Sequence, residues 1–194
     1  MGREAILKSI KENKPTDIPL PEVDLNNFVE DINLLAEFKE KVQLVGGTIK
    51  ELSSSETLEV VIKKQYPNAK GIVDCSKKLT SLKTVPISED TNPKDLQNID
   101  LAIINGEFGV AENGSVWISE NVFPIRVLPF ITNDLVIILE KEKLCQHMHE
   151  GFGLISERER TFGVFISGPS KTADIEQCLV VGAQGAMSLS IILV

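Results

Sequence analysis

The chain has 194 residues, enough for one sizeable domain, and 42% of them are hydrophobic, which suits a globular protein with a real core. Twenty-eight acidic residues against 20 basic ones give a formal charge of -8. That balance argues against nucleic acid as a partner, since such binders carry a basic face.

Three cysteines, Cys75, Cys145 and Cys178, stand far apart and form no Cys-x-x-Cys pair. The spacing excludes a local zinc or iron–sulfur motif and points to reduced, structural thiols in a cytoplasmic protein. The first fifteen residues hold no apolar signal core, and no apolar run is long and unbroken enough to span a bilayer.

In chain order, residues 3–11 read as a short helix. "NKPTDIPLPE" holds three prolines and reads as an extended arm. Residues 1–24 are therefore expected to form an N-terminal helix and arm, and 25–194 a single α/β domain. In the next segment Phe28, Ile32, Leu35, Phe38 and Val42 recur at helical spacing, and Gly46-Gly47 ends the helix.

"TIKEL" reads as a strand. Ser53 and Glu56 form a capping-box pattern ahead of a second helix. "KGIVDCS" is a short buried strand, and residues 77–98 are irregular. "IDLAIINGEFGVAENGSVWIS" reads as strand, glycine-rich turn, strand, with Asn113-Gly114 fitting a two-residue hairpin turn. "NDLVIILEKE" is another strand. Residues 143–160 look helical with a break near Gly151 and Gly153. "TFGVFISG" is a strand, residues 172–181 a helix capped by Thr172, and "SLSIILV" the closing strand. In that helix Asp174 and Glu176 would favour the dipole and Ile175, Leu179 and Ala183 would face the core. Alternating helices and apolar strands argue for α/β layering around a largely parallel, mixed sheet.

Four stretches could carry chemistry. Ser167, Gly168, Ser170 and Thr172 lie where a strand gives way to the expected helix, a place where anions bind, although Asp174 and Glu176 oppose one. Glu112 and Asn113 sit in the glycine-rich turn; a carboxylate there can serve as base, nucleophile or hydrogen-bond acceptor, or be a solvated hairpin residue. "CQHMHE" holds both histidines, but if helical only Cys145 and His149 share a face, so no metal site is expected. Arg126 lies in the apolar run "FPIRVLPFI" and needs an acceptor, with Glu112 a candidate. Glu112, Arg126 and Ser170 are expected around one pocket at a sheet edge.

Three of these stretches, "GVAENGS", "RVLP" and "ISGPSKTADIEQCLVVGAQGAMSL", together resemble the lactate-utilization protein C family, a small LUD-domain family. The likeness is specific in the C-terminal half and extends to layout in the first hundred residues. It implies a three-layer α/β/α sandwich like that of the sugar-phosphate isomerase and CoA-transferase superfamily. It also implies an accessory role in oxidising L-lactate to pyruvate, beside two iron–sulfur partner proteins, with a partner protein or a small carboxylate bound and no cofactor of its own. The implied ligand-binding residues are Glu112, Asn113, Arg126, Ser167, Gly168, Ser170 and Thr172. An alternative is a CoA-transferase-like enzyme with Glu112 as nucleophile, since Glu112-Asn113-Gly114 is similar to the glutamate motif of one class of those enzymes. The chain departs from the family in carrying Asn113, Thr132 and Gln184 where members commonly have Thr or Ser, His and His.

Overall fold

The computed structural model describes residues 2–194 apart from 17, 20, 23, 157–161, 176 and 177; of residues 25, 156 and 173–175 it describes the backbone alone. The chain divides into two units, residues 1–30 and 31–194. The first carries helix α1 (Arg3–Glu12) and a 3₁₀ turn (Leu25–Phe28) in which Asp24 accepts from the Asn26 amide.

The second unit is built on five parallel strands: β1 (Thr48–Glu51), β2 (Ile72–Asp74), β3 (Leu101–Asn105), then β6 (Asp134–Leu139) and β11 (Ser188–Leu193). Their order across the sheet is β1-β11-β6-β3-β2. Between β3 and β6 lie β4 (Phe108–Val110), β5 (Ser115–Ser119) and the short helix α4 (Leu128–Ile131). After β6 come β7 (Leu144–Cys145) and β8 (Gly163–Ile166), which join β4 and β5 in a second sheet of order β7-β4-β5-β8. A mixed α/β architecture around a parallel sheet is thus what the alternating pattern foretells.

Both faces of the parallel sheet are covered, so its strands read as near-continuous apolar runs. On one face Leu101, Ile103, Val136, Ile138 and Ile192 meet Leu58, Val61 and Ile62 of α3 (Leu58–Gln65). On the other, Ala102, Ile104, Ile137, Leu139 and Ile191 meet α2 (Leu34–Leu44), through Phe38 and Val42, and the second sheet, through Val116 and Ile118. The far side of that second sheet carries Phe108, Val110 and Trp117 against Ile155 of α5 (Met148–Ser156). Each fully buried aliphatic side chain here stabilises the fold by about 1.5–3 kcal/mol.

Several expected elements differ. The helix expected to begin near Phe28 starts at Leu34, where Asn33 Oδ1 accepts from the Ala36 amide at 3.1 Å; Phe28 lies ahead of it, 45% exposed. Asn and Asp compete with the helical backbone, so Asp31 and Asn33 cut the run short despite its spacing. The end is as expected: Gly46, at φ +84, and Gly47 return their amides to Gln43 and Val42. The cap of α3 is Thr57 rather than Ser53; Ser53 instead donates to Glu56 ahead of the helix. The two-residue turn at Asn113-Gly114 is a four-residue connection, because the Ala111 and Glu112 amides are taken by the carbonyls of Cys145 and Gln146.

The helix expected over residues 172–181 is a hairpin, β9 (Lys171–Ile175) and β10 (Cys178–Val181), with Val180 opposite Thr172. Leu179, expected in the core, is 66% exposed. Glu176 and the side chains of Asp174 and Ile175 fall outside what is described. Cys145 ends a strand rather than sharing a helix face with His149. Helix α5 runs through Gly151 and Gly153 without a break, and Arg160 lies outside the described residues.

Candidate functional site

The signature segments meet beside the turn between β8 and β9. Gly168 has φ +72, and a Cβ there would stand 2.4 Å from the Val45 carbonyl oxygen. Only glycine allows this turn to lie so close to the end of α2. Ser167 Oγ donates to the Asn113 carbonyl at 2.9 Å, tying the glycine-rich turn to the same place. Lys171 Nζ donates to the Val45 carbonyl. The Ser170 amide donates to Ala186 O at 2.9 Å, and Ser170 O accepts from the Gly182 amide at 3.0 Å. Gly185 lies so close that a Cβ there would sit 3.1 Å from Ser170 Cβ. The Ser-Gly-Pro-Ser run is therefore a junction between α2, the β4–β5 turn and the Gly182–Gly185 turn, and not a helix cap.

A cleft of about 300 Å³ opens at this junction. Ser167, Ser170, Lys171 and Gln184 give it a polar side; Phe130 and Leu189 belong to its apolar side. Three sequence-distant stretches thus supply one cleft: the segment after Arg126, the β8–β9 turn and the Gly182–Ala186 turn. It lies by Leu135 and Leu189, near the amino ends of β6 and β11, and beyond the carboxyl end of β8. Lys171 and Phe130 escaped the sequence reading. The lysine inside Ser-Lys-Thr was the available signal, masked by the expectation of a helix cap.

The other expected site residues are placed elsewhere. Glu112 and Arg126 are not among the residues lining this cleft, so the expected common pocket with Ser170 does not form there. Glu112 Oε2 lies 2.8 Å from His147 Nδ1, and Arg126 pairs with Glu120 at 3.1 Å, so the Glu112–Arg126 partnership is replaced by two separate ones. The physical reason is exposure: the Arg126 side chain is 60% exposed, its guanidinium over the Phe162 ring at 5.3 Å, so it escapes the need for a buried counter-charge. Asn113 turns its side chain to the Ser115 amide at 3.0 Å. Thr172 pairs within the hairpin and lies outside the cleft lining. Thr132 is buried and donates to Asp134 O at 2.9 Å, a structural bond.

Two larger clefts open at the carboxyl ends of the parallel strands, where ligands of open α/β sheets gather. One, about 510 Å³, is lined by Asp74, Cys75, Lys77, Glu89 and Glu120 among others. The second, about 590 Å³, includes Asn105, Glu107, Glu140, Glu142 and Cys145. Both are rich in carboxylates. Burial pushes the thiols of Cys75 and Cys145 up to about 11, with Asp74 and Glu150 adding to the respective shifts. Among the described residues no group of three His, Cys, Asp or Glu is placed to hold a metal ion, and no helix is long and apolar enough to cross a membrane.

A parallel-sheet α/β domain with its signature segments gathered beside the β8–β9 turn defines the class. The chain belongs to the LUD domain family, whose model matches residues 4–194. It is 30% identical over 104 residues to a lactate utilization protein C of Bacillus pumilus, covering 50% of this chain and 43% of that one. It is 33% identical over 110 residues to the protein of the same name from Geobacillus thermodenitrificans, covering 50% and 46%. These alignments thus span about half the length of those curated relatives. In fold it is similar to a DUF162-family protein of Deinococcus radiodurans solved by crystallography, with a TM-score of 0.63 at 15% identity over 89% of this chain and 99% of that one.

Proposed function

We propose that this protein takes part in lactate utilization as an accessory subunit of a system that oxidises L-lactate to pyruvate. The observation that supports it most is the likeness, at 30–33% identity, to proteins named lactate utilization protein C. In this reading it binds a partner protein and a small carboxylate, the latter in the cleft of Ser167, Ser170 and Lys171. The electron-carrying centres then belong to partners of the iron–sulfur type. The three cysteines here are free, one buried, one half-buried and one exposed.

The test is growth on L-lactate of the source organism with this gene deleted, together with affinity copurification from lactate-grown cells. The expected result is lost growth, restored by the wild-type gene, and a copurifying protein that carries iron and acid-labile sulfide. Normal growth of the deletion strain would overturn the reading. Incubation with an acyl-CoA followed by mass spectrometry tests the CoA-transferase alternative. No adduct is expected on Glu112, whose carboxylate is engaged by His147 and lies outside the cleft lining.

A further inference from the structure

We propose that the cleft under the β8–β9 turn takes a short-chain monocarboxylate, with its carboxylate at Lys171 and its alkyl end against Phe130. This names the ligand class of the cleft in the preceding reading and rests on it. Four observations carry it.

The first is charge. The formal charge is -8, and the carboxyl-end clefts set Asp74, Glu89 and Glu120 against Lys77, and Glu107, Glu140 and Glu142 against Lys143. The residues lining this cleft include Lys171 and no Asp or Glu. One ammonium balances one carboxylate; a dianionic phosphate would leave a charge unmatched in a strongly acidic protein.

The second is donor capacity. A lysine ammonium has three N–H donors, and one of those of Lys171 goes to the Val45 carbonyl. That bond fixes the head of an otherwise mobile side chain beside the Gly168 turn and leaves two donors for an acceptor. Ser170 and Gln184 line the same space, and their side chains carry uncharged donors.

The third is the apolar wall. Phe130 is 39% exposed although it flanks a cleft whose floor includes the buried Leu189. A short alkyl group laid on Phe130 removes apolar surface from water, which a bare inorganic anion does not. The fourth is size: about 300 Å³ lies at the small end of ligand sites, which run from about 300 to 1,000 Å³.

The experiment uses the full chain, labelled with ¹⁵N and titrated with L-lactate, butyrate and inorganic phosphate. The expected result is saturable movement of the amides of Gly168, Ser170, Lys171, Gly185 and Ala186 with either carboxylate, and binding of phosphate about tenfold weaker or less. Lys171→Gln should weaken carboxylate binding by about tenfold or more, as loss of a charged hydrogen bond does. Because Lys171 also holds the end of α2, Gln184→Leu serves as a second variant. Its side chain is exposed, and it should weaken binding a few-fold with the melting temperature unchanged. The proposal is overturned if neither carboxylate moves these amides, if phosphate binds as tightly, or if a folded Lys171→Gln binds as wild type does. Copurification of the iron-containing partner separates the two readings. Partner capture without carboxylate binding removes this inference alone; carboxylate binding by a protein dispensable for lactate growth removes the lactate reading and leaves the site.

Discussion

The two ends of the parallel sheet contrast in chemistry and in how they are held. At the carboxyl ends, loops bring Asp74, Glu107, Glu120 and Glu140 to the walls of two roomy clefts. The loop after β2 is held by carboxylates: Asp74 accepts from Ser76 and Leu79, and Glu59 of α3 accepts from the Thr80 amide and from the amide and hydroxyl of Ser81. Near the amino ends of β6 and β11, the smaller cleft is held by backbone contacts through glycines, with one lysine and no acid in its lining. The segments that mark the family gather at this second place. Where ligands are usual in such sheets is therefore a poor guide to where this chain has invested its sequence.

The sharpest way to break the contrast is to spoil the glycine contact. Gly168→Ala would force a Cβ to 2.4 Å from the Val45 carbonyl and put a side chain at φ +72. A left-handed residue costs about 1–2 kcal/mol and overpacking adds about as much again, so the loss should be about 3 kcal/mol. Urea unfolding measures it. A loss under about 1 kcal/mol would show that the turn can move off α2 and that the cleft is not rigidly built.

The cysteines probe the carboxyl end. Cys75 and Cys145 line its two clefts, and burial pushes both thiols up from the ordinary 9.0 to about 11, whereas Cys178 in β10 is exposed. Thiolate is the reactive form, so each of these two thiols should alkylate about a hundredfold more slowly than an unperturbed one at neutral pH. Iodoacetamide followed by peptide mapping should label Cys178 first. Early labelling of Cys75 would mean that its cleft opens to solvent far more than the structure shows.

Acid should loosen the carboxyl-end loop and spare the other cleft. The hydrogen bonds from Ser81, then from Thr80, hold Glu59 at about 2, below the ordinary 4.5. A depressed carboxylate stabilises the fold above its unfolded value, and that contribution is lost as pH falls through the folded value. Glu59→Gln should therefore be less stable than wild type near neutral pH, with the gap closing between about pH 4.5 and pH 2. Urea midpoints across that range decide the matter; a gap constant with pH would show that the carboxylate's charge plays no part.

The contrast also explains what could be read from the sequence. The parallel core was legible because β3, β6 and β11 are long apolar runs bounded by turns, such as "LAIIN" and "DLVIIL". The C-terminal hairpin was misread because Ile175, Leu179 and Ala183 are four apart, as a helix requires, while Thr172, Val180 and Val181 favour a strand equally well. Short apolar runs carry both signals, and pairing with a neighbour decides between them. The convergence of the signature segments was legible only as likeness. Nothing in the spacing of Ser167 and Asn113, or of Ser170 and Gly185, says that they meet, since each pair is brought together by two different turns.

The smallest effect expected is at Glu112, in the turn that connects the glycine-rich segment to the cleft. Its side chain is 38% exposed and its carboxylate pairs with His147 at 2.8 Å, while its amide is held by Gln146 O. Even a fully charged pair near the surface contributes about 0–1 kcal/mol, so Glu112→Gln should cost about 0.5 kcal/mol or less. The backbone of this turn matters more than its side chain. Gly114, at φ +65, has no room for a Cβ, which would meet the Val42 amide nitrogen at 2.6 Å, and Ser167 grips the Asn113 carbonyl rather than any side chain. Thermal unfolding and growth on L-lactate, measured side by side for Glu112→Gln and wild type, separate these roles. Unchanged growth with a small shift in melting places Glu112 as a surface partner of His147. Lost growth at unchanged melting would make its carboxylate a contact for a ligand or a partner protein, and the functional surface would then extend from the cleft along the β4–β5 turn.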